Sequence, residues 1–189
     1  PTSLVFPLKG LIKETNKRNI ISIIDGAHAP GHIKLNITDL KADFYSGNCH
    51  KWMMAPKGSA FLWANKNKKN ILEPLIISHG WLPNNYKSSQ KGDFGNNRFI
   101  DNFEVQGTRD PASWLAVLDA IKFINNKNYS KAFNYSSKLA YETATKITKL
   151  TKVPLLAKKK FLAPQMISIP IPDCNICKVK QQLLKKFNI

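Results

Sequence analysis

Apolar side chains recur at helical spacing in four parts of this chain. Between Pro7 and Arg18 one face of a predicted helix gathers Leu8, Leu11, Ile12 and Thr15. Asp110 and Pro111 suit the N-cap and the first position of another helix. The apolar stripe of that helix consists of Trp114, Leu115, Leu118, Ile121 and Ile124. The same spacing predicts a longer helix over about 130–150 and a last helix over 178–187.

Short runs rich in β-branched and aromatic residues lie between these helices and predict strands. The run IISIID, at 20–25, is typical of a buried strand that ends at Asp25. The other predicted strands cover 42–47, 59–65, 74–78, 153–157 and 165–171. Residues 79–107 show little periodicity and are predicted to form a long loop, which in a compact domain is often functional.

The alternation of helices and short strands predicts an α/β fold with a mostly parallel sheet and flanking helices. The pattern changes near residue 150 to strand, strand and helix. We therefore predict a large α/β domain over 1–150 and the start of a small α+β domain over 151–189. Because Pro1 is not an initiator methionine and Ile189 directly follows a helical pattern, we expect an internal part of a longer protein.

Composition narrows the class of protein. The 189 residues are 43% hydrophobic and 22% charged, which is typical of a globular domain. The net charge is +17, but the lysines are spread along the chain and do not alternate with aromatic residues. We therefore predict a generic basic surface with no specific nucleic-acid partner. No apolar run is long enough to span a membrane, and no signal peptide opens the sequence, so we predict no membrane partner.

The cysteines give no sign of a disulfide framework. Cys49, Cys174 and Cys177 make an odd number, which favours a reducing cytoplasm. Cys174 and Cys177 form a single CxxC motif without a second pair of metal ligands. The pair is interpreted as two small residues at the start of a helix, in preference to a zinc or redox site, and no metal is predicted.

Candidate chemistry gathers in three segments that follow predicted strands or begin a helix. These are DGAHAPGH at 25–32, GNCHK at 47–51 and QGTRDP at 106–111. Open α/β sheets place their ligands at the carboxyl ends of strands, and a helix N-terminus favours an anion. Each segment alone also fits a simple turn, a core histidine or a surface lysine. Motifs of nucleotide binding, zinc proteases and serine hydrolases are missing from the sequence.

Taken together, the three segments resemble the class V aminotransferases, which are pyridoxal 5′-phosphate enzymes on the type I aminotransferase fold. In the motif an aspartate is followed three residues later by a histidine, and by a His-Lys pair 25 and 26 residues after the aspartate. The form DGAHAPG with CHKWMMAPKG is most similar to the isopenicillin N epimerase-like branch. The resemblance covers residues 1 to about 125 and is weaker beyond them.

The resemblance implies a role for each matching residue. Lys51 matches the lysine that forms a Schiff base with the cofactor aldehyde, and a poorly hydrated lysine gives up its proton more readily. Asp25 matches the carboxylate that pairs with the pyridinium nitrogen, and His28 matches a position beside the ring and its phenolic oxygen. Asn48 and His50 match contacts on the phosphate side.

Thr108 matches a threonine that reaches the phosphate bound in the partner subunit, so the resemblance implies a homodimer with shared active sites. It further implies a phosphate-binding turn, a ring-stacking aromatic residue and a carboxylate-binding arginine. We expect these three features to lie outside the 189 residues, so that the chain alone holds the cofactor lysine without a complete active site.

The resemblance implies an enzyme that acts on an amino acid or an amino-acid-like amine, with Lys51 moving the α-proton of the substrate. Epimerisation, transamination and elimination all remain open. A cysteine desulfurase or C–S lyase is the alternative within the family, although a desulfurase needs a mobile cysteine, Cys49 looks structural, and Cys174 and Cys177 lie too early. An alternative from another class is a non-catalytic basic binding protein that has kept the fold.

Overall fold

The computed structural model describes residues 2–86, 94 and 97–189. Its helices are α1 (Leu8–Lys17), α2 (Ile37–Leu40), α3 (Arg98–Glu104), α4 (Ala112–Leu115), α5 (Val117–Ile124), α6 (Lys127–Thr151) and α7 (Ile176–Phe187). Its strands are β1 (Ile23–Asp25), β2 (Phe44–Asn48) and β3 (Ala60–Ala64). Short 3-10 turns cover Lys69–Ile71 and Lys159–Phe161. The predicted α/β class is confirmed.

The three strands form one sheet in the order β1-β2-β3, and the sheet is mixed. β1 pairs with β2 in parallel, with Asp25 opposite Ser46, whereas β2 pairs with β3 in antiparallel fashion, with Asn48 opposite Ala60. The prediction of a mostly parallel sheet is therefore corrected for these strands. The segment from β1 to β2 contains α2 and allows a crossover, while β3 returns along β2 directly after the loop 49–59.

Burial is concentrated in the central strand. Tyr45 and Phe44 of β2 are 1% and 4% exposed, but Ile23 of β1 is 75% exposed. The first strand was predicted to be buried, and this is wrong in the structure because β1 lies at an edge of the three-stranded order.

The residues that directly precede β1 and β2 are joined by hydrogen bonds between the buried Ser22 and Asp43. Asp43 Oδ2 accepts hydrogen bonds from Ser22 N at 2.8 Å and Ser22 Oγ at 3.0 Å.

Three predicted strands are not formed. Residues 74–78, 153–157 and 165–171 have no strand assignment, and Leu75 is fully exposed. In the unit that contains 153–157 and 165–171, an isolated antiparallel bridge joins Leu4 and Leu162. A β-branched run becomes a strand only when a second strand supplies hydrogen bonds, which local composition does not reveal.

The helical predictions are mostly confirmed. α1 lies within the predicted 7–18, α6 begins three residues before the predicted 130, and α7 contains 178–187. The helix predicted after Asp110 is divided into α4 and α5 around Ala116, and Asp110 Oδ1 accepts from Ala112 N at 2.8 Å. The prediction of one long loop over 79–107 is wrong where α3 forms; part of that segment lies outside the described residues.

The chain divides into two compact units, Leu8–Asn125 and Pro1–Pro7 with Asn126–Ile189. The domain boundary predicted at residue 150 falls at the end of α6, inside the second unit, and it stays a prediction. The first unit contains the sheet and a small hydrophobic core. Cys49, Ala55 and Ala120 are buried in this core, and Met53, Phe61 and Val117 pack against them. The loop after β2 is thus anchored on α5.

Candidate functional site

The loop after β1 is held against β2. Asp25 Oδ1 accepts a hydrogen bond from Ala27 N at 3.0 Å, and Gly26 N donates to Ser46 O at 2.9 Å. A Cβ atom on Gly26 would overlap the phenol ring of Tyr45, so only glycine fits at this point. Asp25 itself is exposed at the end of its strand, where the carboxylate is available to a ligand.

The loop after β2, residues 49–59, is closed by its own hydrogen bonds. Cys49 N donates to Ser59 O and Ala55 N donates to Cys49 O, both at 3.0 Å. Met54 N donates to Lys51 O at 3.0 Å and has a positive φ of 63°. These bonds, together with the buried Cys49 and Ala55, hold Lys51 in a tight and well-supported loop.

The two loops meet backbone to backbone at Gly31. This glycine has a φ of +76°, and a Cβ atom there would lie 2.6 Å from both Met53 N and Trp52 O. No L side chain fits such an approach without a shift of the backbone. Gly31 therefore allows the segment 25–32 to lie directly against the segment that carries Lys51.

Side chains from the two loops then contact each other. Lys51 Nζ lies 3.1 Å from His28 Nε2, and Trp52 Nε1 donates to His28 Nδ1 at 3.2 Å. The ring of Trp52 stacks on His32, with 3.9 Å between ring centroids and 16° between planes. His32 is 3% exposed, whereas Lys51 and Trp52 are half-buried and His28 is exposed.

The surroundings of the two histidines favour their neutral forms. Burial lowers the pKa of His28, a positive charge on Lys51 acts in the same direction whenever that lysine is protonated, and the Asp25 carboxylate opposes both. Burial also lowers the pKa of His32, and a hydrogen bond to the backbone of His28 opposes this effect. Because the ordinary pKa of histidine is about 6.5, both rings are neutral near pH 7.

Burial also raises the pKa of the Cys49 thiol and of the Tyr45 phenol, and for Tyr45 the Asp25 carboxylate adds to the effect. Cys49 therefore stays a thiol and packs as a small core residue, in agreement with its structural interpretation. Cys174 and Cys177 are exposed and free; Cys174 precedes α7, and Cys177 lies in its first turn. No group of three metal-ligating side chains occurs within the described residues.

Two further predicted residues flank Lys51. His50 Nδ1 lies 3.0 Å from the carbonyl oxygen of Ser59, which only accepts, so Nδ1 carries the proton. Asn48 is half-buried at the last position of β2, opposite Ala60. The end of β2 and the loop behind it thus present an amide, an imidazole and an amine within four consecutive positions.

Thr108 belongs to a different segment, between α3 and α4. It is exposed and follows Gly107, whose φ is +83°. The side chain of the next residue, Arg109, is held by two contacts. Its guanidinium lies 3.9 Å from the ring centroid of Trp114 and donates to Gln106 Oε1 at 2.6 Å. Contact between Thr108 and a phosphate stays a prediction.

The structure thus places Lys51 Nζ within 3.1 Å of His28, in the loop that begins with Asp25, and places Asn48 and His50 next to Lys51 in the chain; the roles of these five residues stay predictions. Sequence reasoning missed Trp52 and His32. Two signals were available, since Trp52 directly follows the candidate lysine and His32 comes four residues after His28. Among the described residues, no helix is both long and apolar enough to cross a membrane.

Comparison with known proteins identifies the family. The family model described as Aminotransferase class-V matches residues 2–189. The isopenicillin N epimerase of Amycolatopsis lactamdurans is 38% identical over 123 residues, which are 65% of this chain and 31% of that protein. The hercynylcysteine sulfoxide lyase of Schizosaccharomyces pombe is 38% identical over 120 residues, 64% of this chain and 29% of that protein. The chain therefore spans less than a third of the length of these relatives.

Solved structures show the same fold. The apo cysteine desulfurase of Thermococcus onnurineus NA1 gives a TM-score of 0.72 at 20% identity, covering 97% of this chain and 44% of that one. The alanine–glyoxylate aminotransferase of a Nostoc species gives a TM-score of 0.63 at 13% identity, covering 99% and 48%. The predicted type of fold and the resemblance to class V aminotransferases are confirmed.

Proposed function

This chain belongs to the class V aminotransferase family, and we propose that it is the cofactor-holding part of a pyridoxal 5′-phosphate-dependent enzyme. The substrate is an amino acid or an amino-acid-like amine, and Lys51 holds the cofactor covalently. The observation that carries the proposal is the 3.1 Å approach of Lys51 Nζ to His28 Nε2, which brings the lysine to the loop that begins with Asp25.

The side chains present fit this cofactor. Lys51 supplies the primary amine that an aldehyde requires. Asp25 supplies an exposed carboxylate for a protonated ring nitrogen, and its turn occupies only Oδ1, through Ala27 N. His28 adds a neutral imidazole for the ring, and His50 with Asn48 adds polar groups for the phosphate side. These side chains therefore match three chemical groups of the cofactor, which are the aldehyde, the protonated ring nitrogen and the phosphate.

Each residue then has a distinct task. Lys51 Nζ would hold the cofactor and, as a free amine, would take the α-proton from the substrate. When bound, the cofactor ring accepts the electron pair that the departing proton leaves behind. Asp25 keeps a positive charge on the ring nitrogen, and His28 orients Lys51 through the Nε2 contact. The loop 49–59, which is closed by backbone hydrogen bonds, keeps Lys51 close to His28 and to the loop that begins with Asp25.

Of the three reaction types that the resemblance leaves open, two are favoured by relatives of this chain. Isopenicillin N epimerase is a relative at 38% identity, and the form DGAHAPG favours this branch, in which the proton returns to the opposite face. Hercynylcysteine sulfoxide lyase has the same identity, so cleavage of a C–S bond is the second candidate. A desulfurase that uses Cys49 is disfavoured because this thiol is buried and its pKa is raised.

A non-catalytic basic protein is the alternative from another class. The net charge of +17 is its only support. Binding by charge alone would not require a lysine, a histidine and a carboxylate from two separate loops to converge. We therefore favour the enzyme.

The assembly of the protein is part of the proposal. We infer a homodimer in which Thr108 contacts the phosphate of the partner subunit's cofactor, and the exposure of Thr108 supports this assignment. The free state of Cys49, Cys174 and Cys177 supports a reducing compartment such as the cytoplasm.

Covalent trapping tests the proposed attachment. The complete protein is incubated with pyridoxal 5′-phosphate, reduced with borohydride and digested, and the modified peptide is identified by mass spectrometry. We expect the label on Lys51, its loss in Lys51→Ala, and its retention in Lys57→Ala, which removes an exposed lysine of the same loop. A label on another lysine in the unchanged protein would show that the assignment is wrong.

A second measurement separates the reactions. Candidate L-amino acids are incubated with the complete protein in deuterated water, and the products are examined by chiral chromatography and mass spectrometry. An epimerase yields the D-isomer with one deuterium at the α-carbon. A C–S lyase yields a keto acid and a released sulfur species from cysteine-like substrates. An absence of any cofactor-dependent product would support the non-catalytic alternative.

A further inference from the structure

The tryptophan after the candidate lysine fixes the state of the neighbouring histidine. An indole N–H donates and cannot accept, so the 3.2 Å contact from Trp52 Nε1 requires His28 Nδ1 to be unprotonated. A neutral imidazole then carries its proton on Nε2. The contact therefore selects one of the two tautomers of His28.

The selected tautomer constrains the lysine. His28 Nε2–H points to Lys51 Nζ at 3.1 Å, and an ammonium group has no lone pair with which to accept. Both contacts of His28 are satisfied together only when Nζ is an amine with a free lone pair. This form of lysine is the one that attacks an aldehyde.

The indole is held firmly enough to act in this way. One face of Trp52 stacks on the buried ring of His32, and its carbonyl oxygen lies against Gly31, where no Cβ fits. Packing within the two loops therefore sets the direction of the indole N–H before the cofactor binds.

We propose that Trp52 is a positioning residue for the attachment of the cofactor. Its indole N–H holds His28 in the Nε2–H tautomer, and this tautomer favours the amine form of Lys51 Nζ, which accepts from Nε2–H and reacts with an aldehyde. The part that concerns attachment rests on the proposed function, whereas the part that concerns the tautomer does not.

The tautomer is measured directly in the cofactor-free complete protein. Histidine labelled with ¹⁵N gives distinct shifts for protonated and unprotonated ring nitrogens, and His28→Gln identifies the signals of His28. We expect an unprotonated Nδ1 and a protonated Nε2. Trp52→Phe keeps a ring to stack on His32 but removes the donor, so the His28 signals should move towards a mixture of tautomers. Trp81→Phe, at an exposed position outside both loops, should leave them unchanged.

The rate of attachment is the second readout. The complete protein is mixed with pyridoxal 5′-phosphate, and samples are reduced with borohydride at timed intervals and analysed for modified Lys51. The loss of one net hydrogen bond corresponds to roughly a five- to tenfold slower attachment in Trp52→Phe. Trp81→Phe should match the unchanged protein.

If Trp52→Phe does not fold, a second variant that is closer to tryptophan in shape provides the same test. Benzothienylalanine placed at position 52 keeps the bicyclic shape and replaces N–H by sulfur. It should change the His28 signals and slow attachment in the same way.

The outcomes are distinguishable. If Lys51 is not modified in any protein, the proposed function fails while the His28 signals still report on Trp52. Protonation of His28 at Nδ1 in the unchanged protein would overturn the proposal. So would His28 signals and attachment rates that remain unchanged in both position-52 variants.

Discussion

Lys51 Nζ lies 3.1 Å from His28 Nε2, although 23 residues separate the two positions in the chain. Each residue follows a strand, and the two strands are parallel neighbours with Asp25 opposite Ser46. Parallel neighbours end at the same edge of a sheet, so their following loops meet. The close approach of the loops at Gly31 then brings the two side chains within hydrogen-bond distance.

Asp25→Asn should lower turnover without preventing attachment of the cofactor to Lys51. Asparagine retains an oxygen to accept from Ala27 N but lacks the charge that keeps the ring nitrogen protonated. We expect cofactor attachment at Lys51 to persist and turnover to fall by about 10², which corresponds to about two pKa units of lost preference for the pyridinium. Borohydride trapping and steady-state kinetics of the complete protein measure the two effects.

Asp119→Asn is the control for this change, because Asp119 lies on α5 with a side chain that is 78% exposed. It should leave attachment and turnover unaltered. If Asp25 serves only as a turn residue, asparagine replaces it without loss. Near-normal turnover in Asp25→Asn would support that simpler interpretation.

Gly31→Ala should destabilise the unit that contains the site. The left-handed backbone at φ +76° costs an alanine about 1–2 kcal/mol, and the overlap with Met53 N and Trp52 O adds to this. We expect a loss of at least about 2 kcal/mol in the free energy of unfolding, measured by urea denaturation. The backbone of both loops must shift, so the rate of cofactor attachment should fall as well.

Two other glycines provide controls for Gly31. Gly58 has a φ of +89° but open space around its Cβ position, so Gly58→Ala should show only the backbone cost of about 1–2 kcal/mol. Gly10 lies in α1 with nothing within 4 Å, and Gly10→Ala should stabilise by up to about 1 kcal/mol. Equal effects at Gly31 and Gly58 would argue against a close contact between the loops.

The stability of the protein should fall as the pH is lowered through the range in which histidines titrate. Burial lowers the pKa of His32 in the folded state, so the unfolded chain binds a proton first, near pH 6.5. Stability is therefore complete above about pH 7 and decreases below it, with a slope of at most about 1.4 kcal/mol per pH unit for this group.

His32→Phe keeps an aromatic partner for Trp52 and removes the titration. Urea denaturation between about pH 5 and 8 should show a shallower pH dependence for this variant. Part of the dependence should remain, because burial also lowers the pKa of His28. An identical slope in the two proteins would show that His32 does not contribute.

Asp43→Ala should be among the more destabilising changes in the first unit. It leaves the buried Ser22 N–H and hydroxyl without the carboxylate that accepts from them at 2.8 and 3.0 Å. We expect a loss of about 3 kcal/mol in the free energy of unfolding. Asp43→Asn retains an acceptor of the same shape and should cost clearly less, and an equal cost for both variants would contradict this account.

The sequence by itself determined the features that depend on local spacing. The stripe of α1 and the extent of α6 follow from residues close together in the chain, and they were predicted. The motif that links Asp25, His28, His50 and Lys51 was also enough to indicate the family. Such signals are local, because helix formation and turns need only neighbouring residues.

Tertiary structure decided what depends on partners distant in the chain. The run at 74–78 has the composition of a strand, but it has no neighbouring strand among the described residues and does not become one. β1 has the composition of a buried strand, yet Ile23 is exposed because the strand lies at an edge. The hydrogen bond from Trp52 to His28 could not be predicted from the sequence for the same reason. It requires the register of β1 and β2 and the close contact at Gly31, and no local pattern specifies either one.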